Sequence, residues 1–180
     1  MTVGPFPTTR LRRNRTDGWT RRLVAETRLS VDDLIWPVFV CPGAGKMDEV
    51  SSMPGAERVS LDRLAAHVET AAQLRIPMVA LFPATPAELK DADGTEATNP
   101  DNLICRAARL LKREFPEMGL LGDVALDLYT THGHDGMLRD GRVANDESVS
   151  VLARQAVVQA SPSISLAGTP RALAMAGLGA

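Results

Sequence analysis

The chain is 180 residues long, 44% hydrophobic and 23% charged, which fits one folded domain and excludes a largely disordered protein or two full-sized domains. No run approaches the roughly 20 apolar residues of a membrane span and the N-terminus has no apolar signal stretch, so the expected location is the cytosol. The net charge of −2 hides an asymmetry, because residues 1–30 carry seven arginines against Asp17 and Glu26, for +5, and the rest sums to −7.

A basic arm over residues 1–30 on an acidic body is expected to bind something anionic, either nucleic acid or a second copy of the chain. After it, Leu34–Val40 is a nearly continuous apolar run ended by Cys-Pro-Gly-Ala-Gly, which predicts a buried strand. Ser60 is placed to cap a helix whose apolar positions Leu61, Leu64, Ala65, Val68, Ala71 and Ala72 recur at helical spacing. Met78–Phe82 is the next predicted strand, followed by a polar loop and a helix from Asp101 to Phe115 that stops at Pro116. Leu120–Leu126 predicts a third strand, and a polar loop over 127–145 leads to a helix over Asp146–Ala160.

Strand and helix alternate without hairpin signals, so the fold class is α/β with a parallel sheet, an open doubly wound sheet or a barrel. Each strand reads as apolar on both faces, which predicts continuous burial. The long polar loops follow the second and third strands at their C-terminal ends, where both architectures place ligand sites. Ser161–Ala180 has one charged residue, Arg171, and two prolines, Pro162 and Pro170, and is expected to be a weakly structured tail with at most a marginal helix near Arg171–Met175. The two cysteines, Cys41 and Cys105, have no CxxC spacing and are expected to be reduced thiols in apolar surroundings.

The chemistry concentrates in Asp123–Gly136. A strand running through residue 127 would point Asp123, Ala125 and Asp127 to one face, with Asp135 returning beside them after Gly133. Such carboxylates can bind a hard cation, hold a substrate ammonium or raise one another's pKa. The plain alternative is a solvated loop with capping aspartates. His132-Gly-His134 also has the spacing of two zinc ligands, but the remaining histidine, His67, falls in the first helical segment and cannot complete such a site.

This loop resembles the signature of the 5-aminolevulinate dehydratase (porphobilinogen synthase) family. The landmarks that carry the resemblance run in order: Arg28–Ile35, Ser52–Gly55, Leu81-Phe82-Pro83, Lys90-Asp91, Gly94–Asp101, Tyr129–Gly136 and Asn145–Glu147. They cover about residues 11–160. The resemblance implies a (β/α)8 TIM barrel with an N-terminal arm that wraps a neighbour in a homo-octamer, which turns the arm's expected role from nucleic acid to self-association. It also implies condensation of two 5-aminolevulinate molecules to porphobilinogen in heme synthesis, through Schiff bases on two lysines.

By the same resemblance Asp123 is the active-site aspartate that positions the substrate amino group, and Tyr129, His132 and His134 belong to the substrate loop. Zinc-using members carry three cysteines where this chain has Ala125, Asp127 and Asp135, so Asp127 and Asp135 are candidate ligands for a hard cation, magnesium or a monovalent ion, and zinc is not expected. Three strand-helix units are counted over residues 31–160, an incomplete barrel. Neither Lys46, Lys90 nor Lys112 matches a Schiff-base position. The abrupt change at Ser161 is most simply explained by a shift of reading frame, and the alternative is a non-catalytic fragment or self-association module.

Overall fold

The computed structural model describes residues 4–5, 7–9, 12–162 and 164–168. Helix α1 (Gly18–Leu23) lies in the arm with no buried residue. The body begins with β1 (Ile35–Cys41), continues through β2 (Met47–Glu49) and β3 (Glu57–Ser60) to helix α2 (Leu61–Gln73), then β4 (Met78–Pro83), helix α3 (Leu103–Glu114) and β5 (Gly119–Val124). A two-residue ribbon of β6 (Leu138–Arg139) and β7 (Arg142–Val143) precedes helix α4 (Asn145–Ala160) and strand β8 (Ser165–Gly168). The sheet order is β2-β3-β1-β4-β5-β8, with every neighbour parallel except β2 against β3.

Four parallel strands in chain order, β1, β4, β5 and β8, with a helix after each of the first three, are successive strand-helix units of a barrel wall. Val38 and Val40 of β1, Val79 and Leu81 of β4 and Leu120 of β5 pack against Leu64 and Val68 of α2 and Ile104, Ala108 and Leu111 of α3. This aliphatic layer between sheet and helices is the main core, as an aromatic content of only 4% demands. Asn102 caps α3 by accepting from the Cys105 amide at 2.9 Å. Ser60 stands at the N-cap position of α2, but its hydroxyl donates to the Asp62 side chain at Oδ1, 2.6 Å away, and accepts from the Lys46 amide at 2.9 Å instead of accepting from a backbone N–H of the helix's first turn.

Four expectations need correction. The strands are not buried on both faces: Phe39, Phe82, Leu121 and Asp123 are only half-buried, because the face opposite the helices has no covering layer among the described residues. Antiparallel pairs do occur, β2 with β3 and β6 with β7, formed by polar segments too short to show an alternating pattern. β5 ends at Val124, not at Leu126. Residues Ser165–Gly168 pair in parallel with Leu121–Val124, although the prolines argue for a weakly structured tail. Pro162 lies before that strand and Pro170 falls later in the sequence, so the strand itself contains no proline. The helix expected near Arg171–Met175 lies outside the described residues.

Candidate functional site

The sheet presents its uncovered face and the C-terminal ends of its strands together. Phe39 pairs in register with Phe82, and their rings lie 5.7 Å apart. One position beyond the Leu81–Gly122 pair, Asp123 continues this row on the uncovered face. Burial raises the Asp123 pKa, and the negative charges of Asp127 and Asp135 raise it further. Asp127 and Asp135, predicted to share a site with Asp123, are both within electrostatic reach of it, although the strand stops short of Asp127. Asp135 returns by accepting from the Leu126 amide through Oδ1 at 2.8 Å, which closes the loop.

The backbone that carries Asp123 is gripped from behind. Gln155 Nε2 donates to the carbonyls of Ala125 at 3.1 Å and Asp123 at 3.4 Å, and Gln159 Nε2 donates to that of Asp123 at 3.3 Å. Both glutamines are fully buried on α4, and their Oε1 atoms have no partner among the described residues. Gly122 makes this approach feasible, because a Cβ there would stand 2.9 Å from Ile164 Cγ2 and 3.0 Å from Gln159 Oε1. Sequence reading missed the pair, whose signal was two amides one helical turn apart among Val149, Val151, Leu152 and Ala156.

The loops after β4 and β5 are fastened to each other. Asp91 N–H donates to the Tyr129 carbonyl at 3.3 Å, and Thr131 N–H donates to the Asp91 carbonyl at 3.0 Å. Burial raises the Asp91 pKa, but hydrogen bonds from the Thr95 hydroxyl and from the amides of Thr95, Asp93 and Gly94 outweigh it and leave the carboxyl below its ordinary value. Arg139 reaches Asp93 at 2.8 Å and Glu147 at 3.1 Å. Beneath these contacts, Ala97, Leu126, Tyr129, Met137 and Leu152 form a second apolar cluster. The signal in the sequence was Asp91-Ala-Asp-Gly-Thr95, a turn in which an Asx side chain bonds the backbone ahead of it.

The histidines are struts of this loop. His132 Nε2 lies 3.2 Å from the Ala92 carbonyl and Nδ1 accepts from the His134 amide at 3.2 Å. The carbonyl can only accept, so Nε2 carries the proton, and neither nitrogen has a lone pair left for a metal. His134 accepts from the Thr130 hydroxyl through its carbonyl at 3.1 Å. His67 lies beside Trp36, ring centroids 5.3 Å apart, near the start of β1, and takes no part. Tyr129, which the resemblance assigns to the substrate loop, packs beneath that loop. It is 2% exposed inside the second cluster and its hydroxyl has no partner among the described residues.

Asp127 and Asp135 supply hard oxygens and Ala125 supplies no donor. Among the described residues no group of three His, Cys, Asp or Glu side chains is placed to hold a metal ion. Cys41 and Cys105 are both buried and free, and Lys112 Nζ donates to the Met118 carbonyl at 2.8 Å, before the start of β5 and away from the carboxylates.

The family model described as delta-aminolevulinic acid dehydratase matches residues 8–169. That match reaches past residue 160, where the resemblance was expected to stop. The chain is 54% identical over 151 residues to the delta-aminolevulinic acid dehydratase of Bradyrhizobium diazoefficiens, covering 84% of this chain and 43% of that protein. It is 45% identical to the Chlamydia pneumoniae protein of the same name, covering 84% and 46%. The fold superimposes with a TM-score of 0.85 on delta-aminolevulinic acid dehydratase (porphobilinogen synthase) of Toxoplasma gondii, solved with the reaction product porphobilinogen, at 35% identity over 94% of this chain and 52% of that one. The chain thus spans about half the length of the relatives it matches.

Proposed function

The chain belongs to the delta-aminolevulinic acid dehydratase family, and on that basis we propose that the whole protein condenses two molecules of 5-aminolevulinate into porphobilinogen. The observation that carries the reading is Asp123. It stands at the C-terminal end of β5, on the uncovered face, with its proton affinity raised by burial and by Asp127 and Asp135. A substrate ammonium entering there replaces repulsion among carboxylates with attraction, and Asp123 holds the amino group or accepts a proton from it. Gln155 and Gln159 fix the backbone on which that carboxylate rides.

The reaction also needs lysines of lowered pKa in a dry pocket to form Schiff bases. By the family resemblance none of Lys46, Lys90 and Lys112 matches a Schiff-base position, and Lys112 Nζ is bonded to the Met118 carbonyl, so those amines would come from outside residues 1–160. The 180-residue chain expressed alone is accordingly expected to form no porphobilinogen and, with its sheet face uncovered, to be poorly soluble. Steady turnover by this chain, or a monodisperse sample with a sharp cooperative melt, refutes that expectation. In a longer product of the gene, Asp123→Asn is expected to abolish turnover while retaining the fold, and undiminished activity would sink the assignment of Asp123.

For the metal, the described residues do not by themselves complete a donor set. The oxygen donors Asp127 and Asp135 favour a hard cation over zinc, so we take magnesium or a monovalent ion as the cation of the whole protein, tested by metal titration. For assembly, the arm exposes Trp19, Leu23 and Leu29 alongside its arginines. This combination of apolar and basic surface suits docking on an acidic second copy. Sedimentation of a longer product with and without residues 1–30 tests it, and an unchanged oligomer after arm removal counts against it.

A further inference from the structure

Helix α4 buries three polar side chains, Ser148, Gln155 and Gln159. At seven and then four positions apart they lie within about 40° of one another around the helix axis. They form one polar stripe on a buried face otherwise made by Val151, Leu152 and Ala156. The stripe bonds main chain at both ends of residues 123–137. The two amides donate to the Asp123 and Ala125 carbonyls, and Ser148 Oγ accepts from the Met137 amide at 2.9 Å. Asp123 stands at one end of that segment and Asp135 just before the other, so a single helix fixes both ends of the loop that carries the carboxylates.

Stability does not account for the two amides. Gln155 Oε1 and Gln159 Oε1 are buried without a partner among the described residues, which costs free energy that a leucine in the same space would avoid. Groups left unpaired in this way call for a reason beyond packing, and the main chain they hold is the part that carries Asp123. We propose that Ser148, Gln155 and Gln159 are positioning residues for the condensation, holding the end of β5 and the returning loop to α4 so that the Asp123 carboxylate stands at a fixed place beside Asp135. The proposal rests on the role given to Asp123 above. Misplacing a substrate-holding group by about 1 Å can cost about a hundredfold in rate, so a clamp of this kind acts on turnover more than on stability.

The test uses a longer product of the gene, with 5-aminolevulinate as substrate and turnover read at a temperature where circular dichroism shows every variant folded. Gln155→Leu and Gln159→Leu each leave one donor on the Asp123 carbonyl and are expected to lower kcat less than about threefold. The double variant should lose about tenfold to a hundredfold in kcat with KM nearly unchanged, because a displaced carboxylate still attracts the substrate ammonium but no longer aligns it. Ser148→Ala, which frees the Met137 amide, should lower kcat by about threefold to tenfold. Val68→Ala, a core change on α2, should lower the melting temperature without altering kcat. The Asp123 carboxyl, followed by NMR and assigned with Asp123→Asn, should titrate closer to its ordinary value in the double variant, since release of the strand end relieves its burial.

If the double variant does not fold, Gly122→Ala keeps every polar group and pushes the Gln159 amide aside, because the new Cβ would stand 3.0 Å from Gln159 Oε1, and a fall in kcat is expected of it too. A double variant within about threefold of the parent in kcat, a loss equalled by Val68→Ala, or an unmoved Asp123 titration overturns the proposal. Undiminished turnover in Asp123→Asn sinks the role of Asp123 and this proposal with it, whereas loss there without loss in the double variant overturns the positioning role alone. A parent without turnover ends the functional reading, and the carboxyl titration then decides by itself whether α4 places Asp123.

Discussion

Gln155 and Gln159 share one acceptor, and this makes their energies interdependent in a calculable way. Replacing Gln155 by leucine removes the donor to the Ala125 carbonyl but leaves the Asp123 carbonyl to Gln159. The orphaned carbonyl costs about 1–3 kcal/mol, and loss of the already unpaired Gln155 Oε1 returns a comparable amount. The single change is therefore expected to cost no more than about 1 kcal/mol. Gln159→Leu likewise leaves the Asp123 carbonyl bonded to Gln155 at 3.4 Å. The double variant strips that carbonyl of both donors and adds a further loss of about 1–3 kcal/mol that neither single variant shows. Urea unfolding of the four proteins, each made as a longer product of the gene, measures it in a double-mutant cycle, under the two-state condition. Additivity within about 0.5 kcal/mol would refute the shared clamp and leave the two amides as independent packing groups.

Asp123, whose carboxyl is held above its ordinary pKa by burial first and neighbouring charge second, favours the fold while protonated. That contribution is complete below the unfolded pKa and is lost as pH rises through the folded one. Asp123→Asn should therefore raise the melting temperature at neutral pH, and an unchanged or lower value contradicts the sign. Asp91 is shifted the other way: its contribution is present above its unfolded pKa and disappears as pH falls through the folded value. Asp91→Asn should flatten the acid side of the stability profile, read by thermal melts across acidic buffers. Gly136 has φ +153°, and a Cβ there would lie 3.0 Å from Val143 Cγ1. Gly136→Ala is expected to cost about 1–3 kcal/mol by urea unfolding, and a neutral result would show that the β7 ribbon yields. In a longer product, Ala125→Cys, Asp127→Cys and Asp135→Cys together should move metal response toward zinc, and an unaltered response to zinc and magnesium would dismiss the loop as the site of metal choice.

The sequence by itself determined the elements whose signal is local. Leu34–Val40, Met78–Phe82 and the amphipathic stretches before and after them could adopt little else, and the ordered landmarks around Tyr129–Gly136 identified the family. What sequence did not decide was which face of each strand stays uncovered, since Phe39, Leu121 and Phe82 read as core until the helices are seen to occupy only one side of the sheet. The pairing of Ser165–Gly168 with β5 was equally hidden, because a strand edge holds a segment through backbone hydrogen bonds that carry no side-chain signature. The same holds at the candidate site. Asp123, Asp127 and Asp135 were legible from spacing, but the grip of Gln155 and Gln159 on the Asp123 carbonyl spans more than thirty positions. The place of His132 as a strut depended on a carbonyl forty residues away. Contacts at such separations exist only once the chain has closed on itself, and they decide which polar groups remain free to act.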